Sequence, residues 1–217
     1  MPADDKDRGY LVPASRDERR GSSAGIGEFE IFAGNEDFKF SAAHFVAYDG
    51  FRERLHGHNY QVAVRMKGEV AHDGYVMDVE EVRRVTRRLC KELNERFLCP
   101  QRSNVINSKI SDGQVLMKCQ DGCLFSFPES DCALLPIMHS TAEELAHYLY
   151  NRLVHDFTPE YLRLRGVRTL EICVSEAPRQ EAVYRQPIPS SLAGLLLDSP
   201  CARRPPRPCL EPGGGHG

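Results

Sequence analysis

The sequence lacks any apolar run that approaches the roughly 18 residues of a transmembrane helix, so no membrane-spanning segment is predicted. It also lacks an excess of one charge. The 28 Lys and Arg nearly balance the 31 Asp and Glu, which favours neither a nucleic-acid surface nor a polybasic membrane patch. The opening MPADDKDRGY has no apolar core and carries three aspartates, unlike a secretory signal or an acid-poor transit peptide. We therefore expect a cytoplasmic location and neither a nucleic-acid nor a membrane partner.

The sequence contains eight cysteines, and no secretory signal accompanies them, so reduced thiols are expected rather than disulfides. Cys119 and Cys123 bracket the sequence KCQDGC, whose spacing suggests a metal knuckle. No matching pair follows at zinc-finger spacing, however, and Asp121-Gly122 is typical of a hairpin turn. We therefore favour a turn over a metal site here.

The domain organisation follows from composition. Hydrophobic residues make up 41% and charged residues 27%, as in an ordinary globular domain. Residues 1–26 are polar and poor in apolar side chains, which predicts a disordered N-terminal extension. The Pro/Gly/Arg-rich residues 191–217 predict a disordered tail. One domain is expected over residues 27–190.

Within that domain, hydrophobic patterning predicts strands and two helices. FKFSAAHFVA and NYQVAVRMKGEV alternate as strands do, and VRTLEICVSEA and EAVYRQ close the domain as two more strands. A first helix is expected after Asp78, with Glu81 as its capping-box partner, and a second after Ser140, with Glu143. Residues 101–137 are predicted to be an insert that forms a β-hairpin. This order indicates an α+β domain with both helices on one face of an antiparallel sheet.

Two histidines stand out in RLHGHNY. His56 and His58 point to the same face of a strand, because side chains alternate with a period of two residues, and Gly57 leaves room between them. His44 ends the preceding strand, and antiparallel pairing of the two strands would bring it beside the pair. Three neutral imidazoles with one open position are typical of a catalytic zinc site. The alternative is three polar side chains at strand ends.

A catalytic zinc site needs a base within reach, and two carboxylates are candidates. Glu53 lies three residues before His56, and Glu95 follows the first helix. Either residue is equally well interpreted as an exposed carboxylate. Four other histidines have no partner at ligand spacing and are expected to be structural or exposed: His72, His139, His147 and His155.

Five segments, FSAAHF, RLHGHNY, MDVEEVRRV, STAEEL and ICVSEAPRQEAVYR, resemble 6-pyruvoyl-tetrahydropterin synthase and its relative 6-carboxytetrahydropterin synthase. The resemblance runs from about residue 28 to 186 and is interrupted by the insert. It implies a T-fold (tunnelling fold), here an antiparallel four-stranded sheet with two helices on one face and an inserted β-hairpin. It also implies a homohexamer of two trimer rings, with active sites at subunit interfaces.

The resemblance implies a zinc-dependent lyase of tetrahydrobiopterin-type biosynthesis that acts on a small-molecule pterin, 7,8-dihydroneopterin triphosphate. The Zn²⁺ ligands would be His44, His56 and His58. The pterin would be anchored by Glu176, whose carboxylate can accept two hydrogen bonds from the amino-pyrimidine edge. From the residues alone, Glu176 would be interpreted as a surface residue at a strand end.

The sequence departs from the family in both proton-handling positions. AYDGFRERL lacks the cysteine that usually precedes the H-G-H motif, and LNERFL offers Asn94 and Glu95 in place of an Asp-His pair. Some members carry a glutamate instead of the cysteine and form a hydroxymethyl-pterin, a role that Glu53 could take. The product therefore stays open among 6-pyruvoyl-, 6-carboxy- and 6-hydroxymethyl-pterin. A non-catalytic zinc- and pterin-binding paralogue is the alternative from another functional class, and a purely structural role for the histidines is the third.

Overall fold

The computed structural model describes residues 27–195 of the chain. The predicted N-terminal extension and the predicted tail beyond residue 195 lie outside the described residues. None of the helices in this described range combines the length and the apolar character that crossing a membrane would require. The helices are α1 (Val79–Leu93), α2 (Ala142–Phe157) and α3 (Pro159–Leu164). The strands are β1 (Phe29–His44), β2 (Ala47–Tyr48), β3 (Phe51–Arg52), β4 (His56–Gly68), β5 (Arg96–Pro100), β6 (Ile106–Ser111), β7 (Gln114–Cys119), β8 (Leu124–Pro128), β9 (Cys132–Leu135), β10 (Val167–Ala177) and β11 (Gln180–Pro187).

The main sheet has the strand order β11-β10-β4-β1-β5-β9. The four strands predicted from alternation, β11, β10, β4 and β1, pair antiparallel, as expected. The sheet has six strands rather than four, because β5 and β9 extend it through parallel pairing. Residues 97–100 of β5 are all buried, so this strand lacks the alternation that revealed the others.

The hydrophobic core lies between one face of this sheet and the helices α1 and α2. Alternate residues of the central strands point into it, among them Phe40, Tyr60, Met66 and Ile172. The two helices lie side by side, with Arg88 of α1 paired to Asp156 of α2 and Arg152 of α2 paired to Glu92 of α1. The predicted α+β arrangement, with both helices on one face, is confirmed. The short helix α3, which was not predicted, follows α2 directly.

The helix starts agree with the capping signals in one case and differ in the other. Asp78 caps α1, and its carboxylate accepts a hydrogen bond from the Glu80 amide at 2.9 Å. The cap of α2 is Thr141 rather than the predicted Ser140. Ser140 has another role, since its hydroxyl donates to the Phe45 carbonyl at 2.9 Å.

The insert is a three-stranded sheet, β6-β7-β8, rather than a simple hairpin. The predicted hairpin corresponds to β7 and β8, and the KCQDGC segment turns between them with Gly122 at a φ of 86°. The sequence INSKIS of β6 lacks regular apolar alternation, which is why it was missed. The six described cysteines are free thiols. The insert builds a second core with Phe45, which follows β1, and with Phe97 and Cys99 of β5.

The described structure continues past the predicted domain boundary at residue 190. A short 3-10 turn spans Leu192–Gly194, and the next residue, Leu195, is buried against the main core. Two residues of the predicted tail, Leu192 and Leu195, therefore pack against the main core.

The ion pair between Arg165 and Asp73 predicts a measurable pH dependence of stability. Arg165 donates to Asp73 at 2.6 and 3.1 Å and holds the pKa of Asp73 down, at about 2, against an ordinary value of 3.8. Because the folded-state pKa is depressed, the stabilisation is present above pH 3.8 and is lost as the pH falls towards 2. Asp73→Asn should therefore unfold at a lower temperature than wild type at pH 5. That difference should shrink as thermal unfolding is repeated down to pH 2.5, and a constant difference would contradict the prediction.

Candidate metal centre and pterin pocket

The register of β1 and β4 brings the three predicted histidines together. His44 lies directly opposite His56, and Ala42 lies opposite His58. The ring centroid of His44 is 4.6 Å from that of His56 and 5.1 Å from that of His58. Each ring offers one nitrogen, and the three nitrogens lie within 4.8 Å of one another. The three side chains are therefore close enough to share one metal ion.

Backbone carbonyls determine the tautomers of two of these rings. The Nδ1 of His44 contacts the Ser140 carbonyl at 2.7 Å, and the Nδ1 of His56 contacts the Arg54 carbonyl at 2.8 Å. A carbonyl oxygen only accepts hydrogen bonds, so each Nδ1 carries the proton, and each neutral ring keeps a lone pair on Nε2. The Ser140 carbonyl therefore orients the ring of His44.

The Nε2 of His44 supports the presence of a ligand for these rings. This nitrogen is buried and has no hydrogen-bond partner in the structure. Burial lowers the pKa of His44 and outweighs the opposing effect of the Ser140 contact, which favours the neutral ring that metals bind. A buried polar atom without a partner is costly, and a metal ion would satisfy it. The donor set therefore fits a metal ion with three imidazole ligands.

Gly57 allows the two strands to approach closely between the histidines. A Cβ built at Gly57 would lie 2.9 Å from the backbone oxygen of Ala42, closer than side chains normally come. Because Ala42 lies on β1 opposite His58, relief of this contact must move one strand relative to the other.

Gly57→Ala should therefore weaken metal binding by separating the strands that carry the ligands. We expect destabilisation of about 1–3 kcal/mol, as for other overpacking substitutions, together with weaker zinc affinity. Thermal unfolding and a competitive zinc titration measure the two effects. Gly50→Ala is the control. A Cβ at Gly50 would contact no other atom, but the φ of 76° is unfavourable for alanine, so this variant strains the backbone without separating β1 from β4. Equal zinc affinity in both variants would contradict the prediction.

Glu176 lies next to the metal cluster because β10 is irregular at this residue. The pairing of β10 with β11 shifts register between Ser175 and Ala177, which removes Glu176 from the regular ladder. One carboxylate oxygen is buried without a hydrogen-bond partner. Burial raises the pKa of Glu176, while the nearby His58 acts in the opposite direction. The side chain is thus half-buried with one unpartnered oxygen, not the surface residue that its position alone indicated.

Tyr60 is a neighbour of Glu176 that the sequence analysis did not single out. It follows His58 by two residues on β4, so it faces the same side, and its hydroxyl is buried without a hydrogen bond of normal geometry. Burial and the adjacent Glu176 charge both raise the pKa of Tyr60, so the phenol stays neutral. The period-two pattern in HGHNY was the signal that could have identified it.

The two candidate bases differ in position. The carboxylate of Glu53 accepts a hydrogen bond from the Val46 amide at 3.0 Å, and the Glu53 amide donates to the Val46 carbonyl at 2.9 Å. Val46 lies two residues after His44, and the negative charge of Glu53 contributes to raising the pKa values of Glu176 and Tyr60. Glu53 therefore lies at the same site as the histidines and Glu176.

Glu95 contacts β1 at Ser41 rather than at His44. It has a positive φ of 58° after Asn94 at the end of α1, and its amide donates to the Ser41 carbonyl at 2.6 Å. Ser41 is three residues before His44, or about 10 Å along the strand. The exposed Glu95 lines a cleft of about 500 Å³ that also reaches His58. Asn94 has a structural contact, because its side-chain oxygen accepts from the Ser41 amide.

The remaining histidines do not join a metal cluster in residues 27–195. His139 donates to the Ala47 carbonyl at 2.9 Å, and His147 contacts Asn151 and the ring of Tyr184. His155 is exposed beside Asp156, and His72 is exposed in a turn. Their structural or exposed character agrees with the sequence interpretation.

One known protein family matches most of the described residues. A sequence model of 6-pyruvoyl tetrahydropterin synthase matches residues 34–187. The chain belongs to this family. It is therefore a pterin synthase-like lyase of pterin biosynthesis, and the predicted T-fold is confirmed by its structural neighbours.

Two relatives share most of their length with this chain. The crystal structure of 6-pyruvoyl tetrahydropterin synthase from Plasmodium vivax superposes with a TM-score of 0.72 at 38% identity and covers 75% of this chain and 99% of its own. A putative 6-carboxy-5,6,7,8-tetrahydropterin synthase from Methanocaldococcus jannaschii is 30% identical over 149 residues, which is 68% of this chain and 90% of the relative.

Two further findings concern chemistry in relatives. Two variant structures of the Plasmodium vivax enzyme replace a glutamate, described there as a catalytic residue, with alanine or cysteine. Dihydroneopterin monophosphate aldolase from Pyrococcus furiosus is 41% identical over 59 residues, which is 27% of this chain and 50% of that protein.

Proposed function

We propose that this chain is a zinc-dependent lyase of the 6-pyruvoyl-tetrahydropterin synthase type that acts on 7,8-dihydroneopterin triphosphate in tetrahydrobiopterin-type biosynthesis. The observation that carries the proposal is the unpartnered Nε2 of His44 beside His56 and His58. Three neutral imidazoles with an open fourth position favour Zn²⁺ in a catalytic rather than a structural site. When bound, the metal supplies Lewis-acid polarisation of a substrate side-chain oxygen.

Glu176 is the proposed anchor for the pterin ring. One of its carboxylate oxygens is buried without a partner, so it can accept a hydrogen bond from the amino-pyrimidine edge of the substrate. The neighbouring Tyr60 hydroxyl offers a second buried polar group in the same pocket. Together these residues orient the substrate so that its side chain extends towards the histidines.

Glu53 is the proposed base for removal of a carbon-bound proton from the substrate side chain. The Val46 amide holds one carboxylate oxygen beside the metal ligands and leaves the other available. The glutamate described as catalytic in the Plasmodium vivax enzyme supports a carboxylate in this role, and Glu53 is the candidate base that lies beside the histidines.

A glutamate in place of the usual cysteine favours a second candidate product, a 6-hydroxymethyl-pterin formed by cleavage of the substrate side chain. The local likeness to a dihydroneopterin monophosphate aldolase supports this candidate. A 6-carboxy-pterin, as named for the Methanocaldococcus jannaschii relative, is the third product to be resolved.

Product analysis tests the proposed function. The full chain is loaded with zinc and incubated with 7,8-dihydroneopterin triphosphate, and pterins and released triphosphate are measured by liquid chromatography and mass spectrometry. We expect triphosphate release and a 6-pyruvoyl-pterin, both abolished by a chelator and restored by zinc. A hydroxymethyl-pterin would establish the second candidate instead. Unchanged substrate in the presence of bound zinc would leave only the binding paralogue.

We also propose that the chain acts as a homohexamer. Glu95 supports this, because it is exposed in a cleft that reaches His58 and is therefore open to a neighbouring chain. An interface between subunits would allow Glu95 of one chain to serve the site of another. Light scattering on the purified protein gives the oligomeric state, and activity in a mixture of Glu95→Gln and His58→Ala chains would show complementation between subunits.

A further inference from the structure

We propose that Arg52 is a positioning residue that couples the inserted sheet β6-β7-β8 to Glu53. The inference rests on the proposed function only in assigning Glu53 as the base. It gives the insert a specific role, which is to hold the segment before the H-G-H motif in the geometry that catalysis needs.

The guanidinium of Arg52 joins the two segments through three hydrogen bonds. Its Nε donates to the Asp121 carboxylate at 2.7 Å, and one terminal nitrogen lies 2.9 Å from the Cys123 sulfur, both at the turn between β7 and β8. The other terminal nitrogen donates to the Glu53 carbonyl at 2.8 Å. One planar group therefore contacts the insert and the backbone of the proposed base at the same time.

Aromatic packing holds this guanidinium in place. It lies 5.8 Å from the ring centroid of Phe45 and 5.6 Å from that of Phe125, within the range of a cation–π contact. Phe45 follows His44 at the end of β1, and Phe125 belongs to β8 of the insert. The Arg52 side chain is only 17% exposed, so its position is well determined by its surroundings.

The side chain of Gln120 also ties the β2–β3 hairpin to the insert. The Gln120 side chain donates to Asp49 at 2.7 Å and accepts from the Gly50 amide at 3.2 Å. Asp49 and Gly50 form the turn between β2 and β3, and Arg52 is the second residue of β3.

The β2–β3 hairpin needs this support for a physical reason. Each of its strands has two residues, and an isolated two-stranded hairpin is at best marginally stable. Glu53 follows this hairpin immediately. Without the insert, the two hydrogen bonds to Val46 would be the remaining contacts described above that hold Glu53 in position. Misplacement of a catalytic group by about 1 Å can lower a rate by about 100-fold.

An ordinary stabilising ion pair is the competing interpretation, and the chain offers a matched control for it. Arg165 pairs with Asp73 at 2.6 Å and is 14% exposed, which is close to the values for Arg52, but it joins α3 to a loop outside the candidate site. A variant of Arg165 should lose stability as a variant of Arg52 does, but it should leave Glu53 in position.

The test compares Arg52→Met with Arg165→Met in the zinc-loaded full chain, measuring kcat, KM, zinc per chain and thermal unfolding. We expect Arg52→Met to lower kcat by about 10- to 100-fold with KM and zinc content within about twofold of wild type. Arg165→Met should lower the unfolding temperature but leave kcat unchanged. Arg52→Lys, which retains the charge but not the planar fork, should recover part of the activity. Equal kcat in Arg52→Met and Arg165→Met would overturn the proposal.

A double variant shows whether Arg52 acts through Glu53. In a Glu53→Gln background, Arg52→Met should lower kcat by less than about threefold, because the group that Arg52 positions is already disabled. A full additional 10-fold loss would overturn the proposal. If Arg52→Met does not fold, Asp121→Asn, which alters only the exposed partner, carries the same comparison with a smaller expected loss of kcat.

The proposed function and this inference fail in distinguishable ways. If the wild-type protein leaves the pterin substrate unchanged, the proposed function fails, and hydrogen exchange at the Val46 and Glu53 amides then tests the positioning directly. Faster exchange at these two amides in Arg52→Met than in Arg165→Met would support the role of Arg52, and equal exchange would overturn it.

Discussion

Replacing His58 with alanine is expected to remove zinc from the protein and reduce pterin turnover below detection. His58 is one of three rings that could share one ion, and its loss leaves two protein ligands. Changes to residues that merely orient metal ligands weaken binding by about 10- to 100-fold, so loss of a ligand should cost more than that. Metal analysis after dialysis measures the zinc content, and the substrate assay measures turnover.

His155→Ala is the matched control for this substitution. His155 lies on α2, is 55% exposed, and is not part of the cluster. It should keep stoichiometric zinc and full turnover. Stoichiometric zinc in the His58→Ala protein would contradict the assignment of the metal centre and would leave the three histidines with a structural role.

Replacing Glu53 with glutamine is the second change with a large expected effect. The amide oxygen can still accept the hydrogen bond from Val46, so the loop should keep its conformation, but the side chain can no longer take up a proton. General acid–base groups contribute about 100- to 10,000-fold to rates, and kcat should fall by that amount. Zinc content and KM should stay close to wild type, because neither the histidines nor Glu176 is changed.

Glu69→Gln controls for the removal of a carboxylate elsewhere on the sheet. Glu69 pairs with Arg168 at the end of the sheet remote from the histidines. It should leave kcat unchanged. A Glu53→Gln protein with kcat within about threefold of an active wild type would exclude Glu53 as the base and direct attention to Glu95 of a neighbouring subunit.

The two substitutions together separate the functional alternatives. A binding paralogue would lose zinc in His58→Ala but would show no turnover for Glu53→Gln to remove. An enzyme would show both effects, with zinc retained in Glu53→Gln. The product then distinguishes between the pyruvoyl-forming and the hydroxymethyl-forming reactions, because both candidates assign the same three histidines to the metal.

The clustering of the three histidines was predictable from the sequence because it depends on local rules. Side-chain alternation places His56, His58 and Tyr60 on one face of β4, and the short connection after His44 requires β1 to turn back beside it. The start of α1 was equally local, since Asp78 satisfies an amide in its own first turn.

Other features depend on residues far apart in the chain, and the sequence pattern misassigned or missed them. The cap of α2 moves to Thr141 because Ser140 is used by Phe45 and His44, both more than 90 residues earlier. The strands β5 and β9 join the sheet by parallel pairing, which leaves no alternating pattern. Glu176 was assigned through the family resemblance, since its burial results from a bulge and from the neighbouring strand.

The sequence by itself therefore determined the α+β class, the antiparallel core of the sheet and the three histidines, because each follows from the periodicity of one segment or the pairing of two neighbours. Only the tertiary structure separated Glu53 from Glu95, oriented His44 through Ser140 and placed Arg52 between the insert and the proposed base. The contacts of Ser41 with Asn94, of His44 with Ser140 and of Arg52 with Asp121 join residues 53 to 96 positions apart, and their geometry follows from packing of the whole domain rather than from any local pattern.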